Sequence, residues 1–486
     1  MTALELIWYC IAIAGCVFAL ADWRKAIYVG IVIDALRDPV RKLIPEQPIL
    51  ITLSGVGIWL VIVVMVLVSR RDQLKILYAN YPKLRSAVHL MLIALVPAAA
   101  ISTISYGRGW LMALIGGASY VIPMMGVLTG FAALRTERDI ARIMYAYVVV
   151  NVVMLIGVPL EYLEVPIAGL GGIEYDWIRY HDDQVVDLMC GWYRSPDIMG
   201  LHAAHVIMFS LILAIRPKGE GKGLWLMPVL WAAFCLLVSG RRKMVGIPMV
   251  FVAVFLILGL TYRVAKISRL TGVVVISMLI GGAAAIFFWS PDESAEYTDF
   301  ATSLFTEGWE RSNEVIVGST LGTLQQAGII GGGLGTATQG RHYAGVQTER
   351  HLRGWQEDGV SRLFLEFGVP GVCLLVISVF LLLSAFLKSL RSLPRSSNEI
   401  LMQLGLVSVI AGDAASFAIS HQQFSGDPVS ALLVTLMVGM VLKFPGLLQR
   451  SAPVAAANAG LLSVARGGDS QPAGLTSSGQ PDPGVA

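Results

Sequence analysis

The sequence predicts an all-α polytopic membrane protein with about 12 (12–13) transmembrane helices. Apolar runs of bilayer-crossing length, roughly 17–25 residues each, recur from the first residues to about Leu448. Hydrophobic residues make up 56% of the chain, charged residues 14%, and the mean hydropathy is +0.70. Soluble domains carry about a quarter of their residues as charges, so this composition lies outside their range. The apolar runs are continuous and do not alternate with period two, which excludes a β-barrel.

Taken in order, Leu4–Leu20 lacks a basic n-region and an A-x-A cleavage site, so it reads as a retained helix and not a signal peptide. Spans follow at 49–69, 87–106, 109–133, 139–160, 197–216, 223–239, 244–262, 269–289, 363–388, 399–420 and 429–447. The segment "AIYVGIVIDALRDPVRKLI" carries Asp34, Arg37, Asp38, Arg41 and Lys42. It has three readings: a thirteenth crossing, a re-entrant piece, or an amphipathic helix lying in the interface. The expected organisation is an N-terminal helix plus this segment (1–48) and a helix bundle with an outer loop at 160–196 (49–289). A long, partly helical outer loop (290–362), C-terminal membrane helices (363–448) and a disordered cytoplasmic tail (449–486) complete it.

Lys and Arg set the orientation. The loops at 69–85, 135–142, 216–223, 262–269 and 388–395 are rich in both and fall on every second turn. Positive loops stay in the cytoplasm. The "YGRG" turn, 160–196, the "GRRK" turn, 290–362 and "SHQQFSGDP" therefore face outward. The net charge of +3 says little about partners, and no basic stripe with interleaved aromatics points to nucleic acid. The five cysteines have no CxxC or Cys/His metal spacing, so neither a disulfide framework nor a metal is expected.

Against this topology, "LLVSGRRKMVGIPM" puts Arg241, Arg242 and Lys243 on the outer face, against the charge rule. The bland reading is a short polar turn at headgroup level; the functional one is an anion site. "GWYRSPDIMGLHAAH" puts Arg194 at the outer mouth of a helix opened by Pro196 and Asp197. His202 and His205, three residues apart, share a face inside the bundle. They read first as hydrogen-bonded core histidines. "RHLRGWQEDGVSRLFLEFGVPG" brings Arg350, His351, Glu357, Asp358 and Arg362 to the surface and carries Glu366 inward, and Asp413 is a second intramembrane acid. "GIIGGGLGTATQGR" fails both the P-loop and the dinucleotide pattern. It reads as a turn in which Gly supplies positive φ, with a close amide approach to a ligand as the alternative. Arginine pairs suit bidentate phosphate contacts. An anionic, lipid-attached ligand at the outer surface, such as a lipid-linked pyrophosphate, accounts for these cations together.

Three features resemble the bacterial O-antigen ligase and polymerase superfamily, multi-spanning glycosyltransferases of the GT-C type. "WYRSPDIMG" is similar to its Arg-containing segment at a helix mouth, and "LLVSGRRKMVGI" to its Ser-Arg turn. "IIGGGLGTA … EDGVSRLFLEFGVPG" is similar to its Gly-x-Gly turn, long loop and Glu-x-Gly-x-x-Gly helix start. The ligases usually carry His-Asn nine and eight residues before that Glu; here Glu357 and Asp358 stand there, which favours a polymerase-like member.

The resemblance implies transfer of a glycan from an undecaprenyl-pyrophosphate-linked donor to a glycan acceptor, without cofactor or metal, at the outer side of the bacterial inner membrane. Other polysaccharide assembly proteins are the expected partners besides the lipid bilayer. Arg241 leads as the pyrophosphate ligand, followed by Arg194, with Arg242, Arg311, Arg350 and Arg362 behind. Glu357 leads as the base, with His351, His342 and Asp358 behind it. The rivals are an O-antigen ligase or protein O-glycosyltransferase on the same donor, and, from another class, a transporter or flippase of an anionic lipid-linked glycan.

Overall fold

The computed structural model describes residues 2–173, 177–181, 184–216, 222–264, 313–338, 356–394 and 400–467. Among the described residues ten helices are long and apolar enough to cross a membrane, so the chain is an all-α, multi-pass membrane protein. The ten are α1 (Ala3–Ala21), α3 (Ile49–Ser69), α5 (Pro82–Ser105), α6 (Gly109–Ala133), α7 (Glu137–Met154), α9 (Pro196–Ile215), α11 (Arg242–Thr261), α13 (Gly359–Arg391), α14 (Leu401–Ile419) and the first part of α16 (Pro428–Gly467), while α2 (Trp23–Leu43) is as long but charged and is not among them. Shorter helices are α4 (Arg71–Asn80), α8 (Gly157–Tyr162), α10 (Leu226–Val238), α12 (Ser319–Ala327) and α15 (Gln422–Ser425). One antiparallel hairpin, β1 (Ile178–His181) with β2 (Gln184–Asp187), interrupts the helical pattern between α8 and α9.

Ten of the expected spans coincide with these ten helices. Residues 223–239 make a shorter apolar helix, and 269–289 lies outside the described residues. The helix starts follow local chemistry. Thr2 with Glu5, and Thr136 with Asp139, close capping boxes on α1 and α7. Ser195 caps α9 ahead of Pro196, whose fixed φ and missing N–H suit the first helical position.

The centre of the bundle is α9, all 20 residues of which are buried. It packs against α7, α10, α11 and α14. Where α6 meets α16, a Cβ on Gly130 would lie 1.9 Å from the Leu436 carbonyl oxygen, and one on Gly439 would lie 2.0 Å from that of Val127. Small residues let two backbones approach this closely, the usual device of membrane helix pairs. The circumference exposes Val96, Ile104, Leu114 and Phe380. On a soluble monomer so continuous an apolar surface would be a liability, whereas against lipid it is the required solvent match.

Helix α2 corrects one of the three readings of its segment. Asp34, Arg37, Asp38 and Arg41 are all buried, so its polar stripe faces the protein and not a membrane interface. Arg24 near its start donates to the carbonyl of Ala132, at the end of α6. Lys42 near its end donates to the carbonyls of Gly171, Gly191 (2.8 Å) and Tyr193 (2.6 Å). These partners belong to opposite ends of the bundle, so α2 runs from one end to the other. At about 1.5 Å per residue its 21 residues are long enough to do so.

The C-terminal stretch also departs from expectation. Residues from Pro445 onward form a separate unit, helical to Gly467, where a disordered tail was expected from 449. "APVAAANAGLLSVA" is rich in alanine, the strongest helix former, which outweighs the lack of aromatics. Residues 468–486 lie outside the described residues.

Candidate functional site

The site lies at the end of the bundle where α9 begins. The first turn of α9 carries Asp197, a favourable place for a carboxylate because the helix N-terminus is partly positive. The α10 helix stops at Val238, and Gly240 takes a left-handed φ of 59° that lets the chain reverse. That reversal makes Arg241 the residue capping α11. Arg241 lies 3.3 Å from Asp197, and its guanidinium stands 5.0 Å from the Trp177 ring centroid. Lys243 Nζ lies 3.0 Å from Asp197, donates to Ser420 Oγ at 2.8 Å, and approaches Glu357 Oε1 to 3.8 Å. Four stretches far apart in sequence, "RSPD", "SGRRK", "QED" and "SHQQ", thus share one cluster.

Two cations face one buried carboxylate here, with a second carboxylate at their edge. Arg241 and Lys243 keep 14% and 12% of their side chains exposed, while Glu357 keeps 44%. Its backbone is pinned by His421, whose N–H donates to the Glu357 carbonyl at 3.1 Å. The His421 Nε2–H donates to the Gln356 carbonyl at 2.5 Å, and Nδ1 accepts from Ser425 Oγ at 2.6 Å. Burial first, then the Arg362 charge, lowers His421 to a pKa of about 3, so the ring is neutral and structural.

The neighbouring candidates have other engagements. Asp358 is fully buried and caps α13, its Oδ1 accepting from the Ser361 N–H at 2.7 Å. Glu357 is therefore the member of that acidic pair that reaches the surface. Arg362 points inward, to Ser119 Oγ (3.0 Å), Glu366 (3.6 Å) and the face of Tyr120. Glu366 also accepts from Tyr120 (2.6 Å), from the Ala337 N–H (3.2 Å) and from Thr338 (3.1 Å). The glycine run is a turn after α12, with φ of 84°, 93° and 90° at Gly331, Gly333 and Gly335. An amide just beyond it meets Glu366, a carboxylate of the chain itself. Arg242 opens α11. Arg311, His342, Arg350 and His351 lie outside the described residues, as does most of the 290–362 loop.

Arg194 belongs to a second, more buried cluster. It reaches the Gly426 carbonyl (3.1 Å), Asp427 (3.6 Å) and Asp38 (4.0 Å). Arg37 sits among Asp34 (2.6 Å), Asp38 (3.9 Å) and Asp427, with which it makes a short contact. Burial raises the Asp427 carboxyl, but Arg37 and Arg194 outweigh it and hold that group well below the ordinary carboxylate range. This network ties α2, the start of α9 and the start of α16 together. Sequence reasoning passed over Arg37 and Asp427 as site residues. A signal for the first existed: positions 34, 37, 38 and 41 follow helical spacing and make one polar stripe. Nothing local in "SGDP" announces the partner of that stripe.

The histidines of α9 are core residues hydrogen-bonded inside the bundle. Tyr147 Oη lies 2.7 Å from His202 Nδ1 and 3.2 Å from His205 Nδ1. His205 Nε2 lies 2.9 Å from Asp413 Oδ1. Tyr193 stacks on His202 and donates to Asn151. No protein-family model matches the chain, and no curated protein sequence does either.

Proposed function

We propose that the chain is a polysaccharide polymerase that moves a glycan from an undecaprenyl-pyrophosphate-linked donor to a sugar hydroxyl at the outer face of the cytoplasmic membrane. The observation that carries this reading is the cluster of Arg241, Lys243, Asp197 and Glu357. It joins two cations, and a carboxylate open to a ligand, at an end of the bundle where a lipid-held phosphate would lie. As the glycosidic bond to pyrophosphate breaks, negative charge grows on the leaving oxygens. Arg241 and Lys243, held in place by Asp197, stabilise that charge. The acceptor hydroxyl loses its proton as its oxygen bonds to the anomeric carbon, and we assign its uptake to Glu357, the exposed carboxylate beside Lys243. Arg194 acts from the neighbouring cluster and steadies the start of α9.

One observation favours the transporter reading. Asp413–His205 and Glu366–Arg362 are ionisable pairs buried within helices, which transporters use as coupling sites. Expression of Arg241→Ala in cells lacking the native chain, with membrane levels checked by blot, separates the two. A polymerase predicts lost polymer and single lipid-linked repeats accumulating on the outer side. Repeats retained on the cytoplasmic side support transport instead. Polymer of unchanged length would refute the assignment of Arg241.

A further inference from the structure

We propose that Asp413, His205, Tyr147 and His202 form a buried proton relay that takes up one proton at His202 Nε2 and holds it at the His205–Asp413 pair. The proposal stands on the geometry of this chain of side chains and does not depend on glycosyl transfer.

Hydrogen-bond arithmetic fixes the resting arrangement. An ionised Asp413 only accepts, so the His205 nitrogen facing it, Nε2, carries hydrogen. Neutral His205 then offers Nδ1 as an acceptor toward Tyr147, which has a single hydroxyl hydrogen to give. With that hydrogen committed, the 2.7 Å contact to His202 requires His202 Nδ1–H to donate to the Tyr147 oxygen. His202 is thereby held as the Nδ1–H tautomer, with a bare lone pair on Nε2. Among the described residues the one side-chain hydrogen bond His202 makes is at Nδ1, and the residue is 5% exposed. An acceptor so placed is poised for a proton.

Uptake then moves hydrogens without moving heavy atoms. On acidification a solvent hydronium gives its proton to His202 Nε2, forming N–H there and leaving water. The Nδ1–H of His202 passes to the Tyr147 oxygen, and the Tyr147 hydroxyl hydrogen passes to His205 Nδ1. The result is a neutral His202, an unchanged tyrosine and a His205 imidazolium facing the Asp413 carboxylate. Electrostatics give the relay its direction. Around His202 stand Arg37 from α2, Arg194 from the start of α9 and Asp427 from the start of α16, with Tyr193 stacked on its ring. Asp34 of α2 acts on Tyr147 from the same side. A positive charge at His202 would therefore face two guanidinium groups as well as the Asp427 carboxylate, whereas at His205 it faces a carboxylate at 2.9 Å with no guanidinium beside it in the relay. The proton comes to rest deeper than it entered.

Nitrogen-15 NMR of histidine-labelled protein in detergent micelles tests this, with peaks assigned from His202→Gln and His205→Gln. The native protein at high pH is expected to show His202 as the Nδ1–H tautomer and His205 as the Nε2–H tautomer. On acidification the doubly protonated signature should appear at His205, and the His202 tautomer should switch to Nε2–H in the same step. Tyr147→Phe, which keeps the ring and removes the hydroxyl, should abolish that linkage so that the two rings respond separately. A native spectrum with His202 already Nε2–H would overturn the proposal without any variant. Linked behaviour that persists in Tyr147→Phe would do the same.

Discussion

Replacing Arg37 with Met keeps an unbranched apolar stem and deletes the guanidinium with its charge. The native cluster holds two guanidinium groups, Arg37 and Arg194, among three carboxylates, Asp34, Asp38 and Asp427. In Arg37→Met the guanidinium left in this cluster is Arg194, 3.6 Å from Asp427 and 4.0 Å from Asp38, while Asp34 loses its partner at 2.6 Å. Removing one partner of a buried ionic cluster costs about 3–5 kcal/mol, because the others are left desolvated and uncompensated. Removing a matching acid as well, in Asp34→Asn with Arg37→Met, should recover about 0.5–3 kcal/mol of that loss. The assay is unfolding in mixed micelles with rising SDS, followed by tryptophan fluorescence. A single variant as stable as the native protein would refute the argument that Arg37 compensates these acids. A double variant no better than the single would show that Arg37 acts through its bulk and not its charge.

His421 predicts an acid-dependent loss of stability. Its folded pKa of about 3 lies below the usual 6.5, so between those values only the unfolded chain gains a proton and stability falls with acidification. The slope from this group is at most about 1.4 kcal/mol per pH unit, and unfolding titrations of His421→Gln from pH 7 to 5 should show a correspondingly flatter dependence. At the α6–α16 contact, Gly130→Ala should lower the unfolding midpoint in SDS, because its Cβ would collide with the Leu436 carbonyl. Gly246→Ala, where a Cβ meets nothing within 4 Å, should leave it unchanged or raise it slightly; equal losses at both sites would refute the packing argument.

Legibility from sequence followed the range of the forces involved. Ten expected spans were readable because burial in lipid is a demand on composition, met residue by residue along a window. The capped start of α9 and the reversal at Gly240 were readable because caps and turns depend on a few adjacent residues. Helix α2 was not, since its charges argue against a crossing until their partners are known. Arg37 is tolerable there because Asp427, 390 positions further on, lies against it. For the site, "SGRRK" and "QED" could be assigned to one face, but face alone does not make a contact. Asp197 looked like an ordinary first-turn acid, and its place between Arg241 and Lys243 depends on how α9 packs beside α11.

By itself, then, the sequence determined that this is a polytopic helical membrane protein, where most helices begin and end, and which turns carry the cations. Hydropathy and capping are local quantities, summed over a window or a single turn. Only the tertiary structure decided which charge meets which. It left Glu357 reaching the surface, buried Asp358 as a cap, turned Arg362 inward to Glu366, and drew the His202–Tyr147–His205–Asp413 chain through the bundle. The physical reason is that a buried polar group is stable only beside its partner. In this chain those partners come from helices distant in sequence.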